Sequence, residues 1–228
     1  MNLEELKKEL LGQRGTAAVR PPSFGSDEIT MLPRKTLQNI EDCIRAVVSE
    51  DVKGDFVETG IWRGGACILA TAVLKDLDED RKVWGFDSFE GLPMGNAEKY
   101  PADAGDRHHA MAGLAVSLEE VKTNFERFNL LDDNVLLVKG LFKDTMPVNT
   151  VGKIAVLRLD GDMYESTIEV LEHLYPKLEK GGFCIIDDYG LGPCKLAVEH
   201  YRSQHGIEDP IVLIDNPPAF PSIFWKKT

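Results

Sequence analysis

The chain has little of what marks a secreted, membrane-bound or nucleic-acid-binding protein. It contains four cysteines in 228 residues and no close CxxC pair, which argues against a disulfide framework and indicates free thiols in a reducing compartment. Basic residues are outnumbered by acidic ones, 26 to 38, which argues against nucleic acid or an anionic membrane as a partner. No apolar run is long enough to span a bilayer, and the charged N-terminus lacks a secretion core. We therefore expect a cytoplasmic protein.

What the chain does contain is an alternation of short apolar strands and helices. Strands of mostly branched apolar residues separated by helices are typical of a parallel sheet covered on both faces. This pattern predicts a doubly wound α/β fold with a mostly parallel sheet, which binds ligands beyond the carboxyl ends of its strands. The predicted strands are 55–59, 82–86, 135–138, 154–159, 182–186, 211–214 and 222–225, and the predicted helices between them are 64–77, 118–128, 165–178 and 193–205.

Two segments interrupt or precede this alternation and define the predicted domain organisation. Residues 1–48 form an N-terminal arm with helices over 2–11 and 36–49, and residues 49–228 form the main domain. The stretch 90–117 is too long for an ordinary connection and is rich in Gly and Pro. We interpret it as a lid over the ligand site, with a disordered insertion as the alternative. It contains the pair His108 and His109, either of which could touch substrate, although a solvated pair is the favoured interpretation.

Two of the predicted strands end abruptly in paired acids. Asp160 and Asp162 follow the strand 154–159, and Asp187 and Asp188 follow the strand 182–186. If these strands are parallel neighbours, four carboxylates converge at one edge of the sheet, where mutual repulsion raises their pKa. Folding does not require this arrangement, whereas a divalent cation such as Mg2+, Ca2+ or Mn2+ would relieve it. The acids therefore predict a metal site.

A glycine-rich turn follows the first predicted strand. Gly60 permits a tight turn, and Gly64 and Gly65 let the backbone approach a ligand at the start of a helix. Glu58, just before this turn, would repel a pyrophosphate but attract a cationic ligand. Asp87, at the end of the second strand, is placed to accept hydrogen bonds from ribose hydroxyls. This combination favours S-adenosylmethionine over NAD as the cofactor.

Five motifs, in order and spacing, resemble those of the macrocin-type O-methyltransferases, which modify the sugars of macrolide and aminocoumarin natural products. The resemblance runs from about Ser49 to the C-terminus. It implies a class I methyltransferase fold, S-adenosylmethionine and Mg2+ as cofactors, a small-molecule hydroxyl acceptor and a homodimer. The motifs are FVETGIWRGG at 56–65, GFDSFEGLP at 85–93, KGLFKDT at 139–145, LDGDMYEST at 159–167 and IDDY at 186–189.

The resemblance also implies which residues bind the cofactor. Glu58 and Gly60 are expected to line its methionine moiety, Asp87 its ribose, and the segment 140–144 its adenine. A core position for Phe142, and packing of Trp62 against the lid, are the alternatives for those two aromatic side chains. The full expected set is Glu58, Thr59, Gly60, Gly64, Gly65, Asp87, Ser88, Gly140, Phe142 and Asp160.

The acids at the strand ends are expected to carry the chemistry. Neighbouring parallel strands lie about 5 Å apart, so Asp160, Asp187 and Asp188 can ligate one metal ion, and Asp160 acts in catalysis through it. Asp162 can face the cleft without ligating the ion and is the predicted general base. The alternatives are that Asp160 or Asp162 caps the following helix, and that Asp187 and Asp188 are exposed loop acids.

Three other functions remain open from the sequence. The short pattern formed by Asp160 and Asp162 also matches the DxD motif of metal-dependent glycosyltransferases. The glycine-rich turn with Asp87 is compatible with an NAD(P)-dependent oxidoreductase. A non-catalytic S-adenosylmethionine-binding protein is the third alternative, although the intact acids argue against it.

Overall fold

The computed structural model describes residues 2–12, 27–215 and 221–228 of the chain. Its helices are α1 (Leu3–Leu11), α2 (Arg34–Ser49), α3 (Gly65–Asp76), α4 (Leu118–Arg127), α5 (Phe142–Thr145), α6 (Tyr164–Leu174) and α7 (Gly192–Gln204). Its strands are β1 (Asp55–Thr59), β2 (Val83–Asp87), β3 (Val135–Lys139), β4 (Ile154–Leu159), β5 (Leu178–Ile186), β6 (Val212–Asp215) and β7 (Ser222–Lys226).

The strands form one seven-stranded sheet in the order β3-β2-β1-β4-β5-β7-β6. The first five strands are mutually parallel, and β7 and β6 close the sheet in antiparallel pairs. The chain winds outward in one direction from β1 and in the other from β4, so the crevice for ligands lies at the carboxyl ends of these two neighbours. The predicted doubly wound fold is confirmed.

The sheet separates two apolar cores. Helices α1, α2 and α3 cover one face, where Leu37, Ile40 and Ile44 of α2 recur at helical spacing and are buried. Helices α6 and α7 cover the other face with β4, β5 and Trp225 of β7. Strands buried on both faces are mostly apolar, which explains why the sequence pattern predicted their positions.

The predicted helix 165–178 is too long, and this prediction is wrong at its C-terminal end. Helix α6 ends at Leu174 and a 3-10 turn over Tyr175–Lys177 leads into β5, which begins at Leu178. Pro176 accounts for the difference, since its ring clashes with the preceding turn and it has no N–H to donate. Leu178 is buried because it pairs with Ile154 in the sheet rather than continuing the helix.

The predicted lid segment, residues 90–117, folds into three short 3-10 turns that pack on the carboxyl edge of the sheet. Its buried Asp103 accepts hydrogen bonds from the backbone N–H groups of Tyr164 (2.7 Å) and Glu165 (2.9 Å) at the start of α6. The backbone carbonyl of Gly113 accepts a hydrogen bond from Trp62 Nε1 at 2.9 Å. The segment is therefore fixed at two points, on α6 and on the glycine-rich turn.

Only part of the predicted arm is described, because residues 13–26 lie outside the described ranges. Ile29 and Leu32 are buried, and the N–H of Ile29 donates to the carbonyl of Leu10 in α1. A Cβ on Gly65 would lie 2.6 Å from Thr30 Cβ, so this end of the arm rests on the start of α3. No helix in the described part of the chain is long and apolar enough to cross a membrane. The cysteines Cys43, Cys67, Cys184 and Cys194 are buried free thiols.

Candidate active site

The acids that end β4 and β5 converge as the sequence predicts. Leu159 pairs with Ile186 across the two strands, so the next residues, Asp160 and Asp187, leave the sheet side by side. Asp160, Asp187 and Asp188 each offer a carboxylate oxygen, and these three atoms lie within 4.8 Å of one another. Three hard oxygen donors at this spacing suit Mg2+, which completes its octahedron with water or substrate oxygens.

A fully buried arginine, Arg158, stands behind this group of acids and was missed by the sequence analysis. Its Nη1 lies 2.5 Å from Glu58 Oε1 and 2.9 Å from Asp160 Oδ2. Its Nη2 forms an ion pair with Asp187 Oδ1 at 2.7 Å, without hydrogen-bond geometry. Among the described residues, Nε has no hydrogen-bond partner. A single guanidinium therefore contacts one acid of β1 and two acids of the predicted metal site.

The register of the sheet explains why these charges meet. Arg158 pairs directly with Glu58 of β1, so both side chains point to the same face. Asp160 lies two residues beyond Arg158, and Asp187 stands beside Asp160, which places both on that face as well. The signal that could have located the ion pairs is one charged residue inside the otherwise apolar strand 154–159.

Burial changes the pKa of every acid in the cluster in the same direction. It raises the pKa of Asp160, Asp162 and Asp187 from the ordinary 3.8 to about 6, and it raises the pKa of Asp188 as well. Neighbouring carboxylates add to these rises, whereas Arg158 opposes them at Asp160 and Asp187. The cluster is thus an acidic site whose charge is costly to keep without a cation.

Asp162 lies beside the three convergent acids but outside their group. Its backbone has φ of 59°, a left-handed conformation that Asp adopts more readily than most residues. Its N–H donates to Asp188 Oδ2 at 3.0 Å, so the turn is held by its backbone while its carboxyl group faces the cleft. Helix α6 is capped from the lid segment by Asp103 rather than by Asp160 or Asp162. This leaves both acids available for chemistry.

The glycine-rich turn brings the ends of β1 and β4 into close approach. Gly60 has φ of 82°, and a Cβ at this position would lie 1.7 Å from the carbonyl oxygen of Asp160. Only glycine can occupy it, because any side chain would collide with the backbone of the predicted metal ligand. The cofactor turn and the acid cluster are therefore neighbours through their backbones.

Glu58 is already paired with a cationic side chain, contrary to the prediction that it attracts a cationic ligand. Its side chain is 2% exposed, pairs with Arg158 and accepts a hydrogen bond from Cys67 Sγ at 2.9 Å. Burial raises the pKa of Glu58, and Arg158 opposes that rise. The electrostatic argument that linked Glu58 to a cationic cofactor therefore needs correction, since the charge of this carboxylate is already offset by the guanidinium.

Asp87 holds the glycine-rich turn in shape. Its Oδ2 accepts a hydrogen bond from the N–H of Ile61 at 2.8 Å and its Oδ1 accepts one from Phe89 at 2.7 Å. Burial raises the pKa of Asp87, and these backbone donors oppose the rise. Its carboxylate still lines the cavity beyond the sheet, so the predicted contact with ribose remains geometrically open.

Two cavities meet above the strand ends. The first is lined by the glycine-rich turn, by the segment after β3 and by residues 91–93 of the lid segment, and the second by the start of α3, the acids and the rest of the lid segment. Both cavities are lined by Met31, Trp62, Leu114, Asp160 and Asp162. Of the predicted cofactor residues, Gly60, Asp87, Ser88, Gly140 and Phe142 line the first, Glu58 and Gly65 line the second, and Thr59 and Gly64 line neither of the two.

The motifs and the fold agree with the comparison to known protein families. The model of the family Macrocin-O-methyltransferase (TylF) matches residues 4–227. The chain belongs to this family. It is accordingly an O-methyltransferase, and the family implies S-adenosylmethionine as the methyl donor. The alternatives of a glycosyltransferase, an NAD(P)-dependent oxidoreductase and a non-catalytic binding protein are set aside.

Individual relatives support the assignment. The chain is 49% identical over 201 residues to the 8-demethyl-8-(2,3-dimethoxy-alpha-L-rhamnosyl)-tetracenomycin-C 4'-O-methyltransferase of Streptomyces olivaceus, covering 87% of this chain and 76% of that one. It is 45% identical over 203 residues to the mycinamicin III 3''-O-methyltransferase of Micromonospora griseorubida, covering 87% and 78%. The structure of the O-methyltransferase NovP superposes with a TM-score of 0.91 at 40% identity, covering 99% of this chain and 98% of that one. The class I methyltransferase fold is thereby confirmed.

Proposed function

We propose that this O-methyltransferase transfers the methyl group of S-adenosylmethionine to a sugar hydroxyl of a natural product, with Mg2+ held by Asp160, Asp187 and Asp188. The observation that carries the proposal is that Asp160 and Asp162 line both cavities. A donor in the first cavity and an acceptor in the second would meet at these two side chains. The relatives named for rhamnosyl-tetracenomycin and mycinamicin substrates support a glycosylated acceptor.

The donor set fits a divalent cation. Asp160, Asp187 and Asp188 would carry three negative charges, and Arg158 shares its one positive charge between Glu58, Asp160 and Asp187, so the three acids keep a net negative charge that a divalent ion would offset. Mg2+, when bound, would supply the positive charge that stabilises the acceptor oxygen as its proton leaves. Asp160, Asp187 and Asp188 are thus assigned to holding the ion, and Arg158 to keeping two of them in place.

Asp162 is the proposed general base. Its carboxylate would take the proton of the acceptor hydroxyl while the oxygen forms its bond to the methyl carbon. The carbon–sulfur bond breaks in the same step, and its electron pair stays on sulfur to give S-adenosylhomocysteine. A pKa of about 6 leaves Asp162 ionised at neutral pH, yet a better base than an ordinary aspartate.

The decisive assay measures transfer of label from methyl-labelled S-adenosylmethionine to the acceptors for which the relatives are named. These are the rhamnosylated tetracenomycin C, mycinamicin III and demethyldecarbamoylnovobiocin. We expect methylation of at least one of them, loss of activity in EDTA and recovery with Mg2+. Activity that persists in EDTA would refute the metal part of the proposal, and failure with all three acceptors would refute the acceptor class.

A homodimer and a cytoplasmic location remain predictions from the sequence.

Stability should report Mg2+ binding without any acceptor. The folded-state pKa of about 6 for Asp160 and Asp187 lies above the ordinary 3.8, so the stability of the metal-free protein falls as pH rises from about 4 to 6. Mg2+ competes with protons for the same oxygens. Its addition should therefore raise the unfolding temperature more at pH 7.5 than at pH 5, measured by scanning calorimetry against EDTA. Asp188→Asn is the control and should respond much less, whereas an equal response of the wild type at both pH values would contradict the site.

A further inference from the structure

The second cavity holds a histidine–aspartate pair on the lid segment. His108 Nδ1 lies 2.5 Å from Asp106 Oδ2, and the backbone N–H of His108 donates to Asp106 Oδ1 at 3.0 Å. Asp106 therefore contacts His108 twice, once at the imidazole ring and once at the backbone N–H. The side chains are 27% exposed for His108 and 9% for Asp106, so the pair is half-enclosed rather than a solvated surface pair.

This pairing fixes what the ring presents to the cavity. An ionised carboxylate only accepts hydrogen bonds, so it holds the Nδ1–H tautomer of a neutral histidine. The lone pair then lies on Nε2, on the side of the ring away from Asp106. Because His108 itself lines the second cavity, this nitrogen is the ring atom left to accept a hydrogen bond from a molecule bound there.

The surroundings of His108 indicate what that molecule offers. Met111, Leu114 and Leu191 give the cavity apolar walls, and the charged groups that face it are Glu58, Arg158, Asp160, Asp162, Asp187 and Asp188. Of these charged groups, Arg158 is the cation, and it is already engaged by acids. A neutral molecule that donates hydrogen bonds through hydroxyl groups matches this lining better than an anion does.

We propose that His108 is a substrate-contacting residue whose Nε2 accepts a hydrogen bond from a hydroxyl of the acceptor, and that Asp106 is the residue that orients it. The inference rests on the proposed function, since it places the acceptor in the second cavity. It adds that a histidine of the lid segment, as well as the acids of the sheet, contacts this neutral polyhydroxylated acceptor. Asp162 remains the base, and His108 serves recognition.

The test measures binding of a simple sugar, so it does not depend on turnover. Methyl α-L-rhamnopyranoside is titrated into the full chain with S-adenosylhomocysteine and Mg2+, and binding is followed by ligand-observed NMR. His108→Ala should weaken binding about tenfold or more, the usual effect of leaving a partly buried polar partner unpaired. His108→Gln, whose amide oxygen can occupy the position of Nε2, should recover part of the affinity and shows that the variant folds.

Two further variants sharpen the result. His109→Ala removes the exposed neighbouring histidine and should leave sugar binding unchanged, which makes it the matched control. In Asp106→Asn the backbone N–H of His108 selects the amide oxygen, so the amide NH2 faces Nδ1 and shifts the ring proton to Nε2. The ring then donates instead of accepts, and affinity should fall although the imidazole is retained.

The assignment is overturned if His108→Ala and His109→Ala bind the sugar equally, or if the wild type does not bind it. It is also overturned if His108→Ala binds normally but loses turnover in a pH-dependent way, which would make His108 a base. Failure of the methyl-transfer assay with sugar binding intact would reject the proposed function alone. The experiments therefore distinguish failure of the His108 assignment from failure of the proposed function.

Discussion

Asp162→Asn should lower turnover about 10²- to 10⁴-fold while Mg2+ and cofactor binding stay almost normal. The structure supports so selective an effect because Asp162 contacts Asp188 through its backbone N–H, which the substitution keeps. Asparagine also tolerates the positive φ of this residue. The loss would therefore come from the missing base and not from a distorted turn.

Asp160→Asn should fail in a different way. It replaces a charged ligand by a neutral one and weakens the contact with Arg158 Nη1, so Mg2+ affinity should fall and excess Mg2+ should recover part of the rate. The measurement is turnover against Mg2+ concentration for both variants, with S-adenosylhomocysteine affinity from calorimetry as the folding control. Rescue of Asp162→Asn by metal, without rescue of Asp160→Asn, would mean that the two roles are reversed.

Arg158→Met should lower the free energy of unfolding by about 3–5 kcal/mol, the usual cost of removing one partner from a buried ion pair. Glu58, Asp160 and Asp187 would lose their shared cation at once, and Glu58 has almost no access to water. Mg2+ should restore part of the loss because it offsets the charge of Asp160 and Asp187. Urea denaturation with and without Mg2+ measures both effects.

Arg45→Met is the matched control for Arg158. Arg45 also bridges two acids, Glu41 and Asp76, but its side chain is 38% exposed. Asp76 is exposed, and the buried Glu41 keeps Lys7 as its partner. Pairs between exposed groups are worth less than about 1 kcal/mol, so this variant should stay close to the wild type in urea. A similar small loss for Arg158→Met would show that the buried pairs contribute little to stability.

The sequence predicted the fold and the convergence of the acids because both follow from simple periodicities. Strands buried on both faces are mostly apolar, and the carboxyl ends of parallel neighbours share one edge, so the pattern predicts that Asp160 lies beside Asp187. The position of Arg158, two residues before Asp160, places it on the same face of the sheet. One charged residue inside an otherwise apolar strand is the sequence signal for its ion pairs.

Other features could not be read from local sequence. Asp103 caps α6 from about 60 residues away, and nothing in its neighbours distinguishes it from a solvent-exposed loop acid. The pairing of Asp106 with His108 depends on the path of the lid segment, which has no periodicity to follow. Side chains on irregular backbone are placed by tertiary contacts, and those contacts have no signature in the local pattern.

The lid segment is attached at Asp103 to α6 and at Gly113 to Trp62. Between these two anchors runs a short arch that carries His108 and Met111 over the second cavity. The acids and the glycine-rich turn lie below it, on the rigid sheet. If the acceptor binds in the second cavity as proposed, substitutions within the arch should change which acceptor fits and leave the proposed base, Asp162, in place. In the proposed arrangement, the part of the chain between the anchors would determine acceptor choice, so changes confined to a few residues would be enough to admit new acceptors.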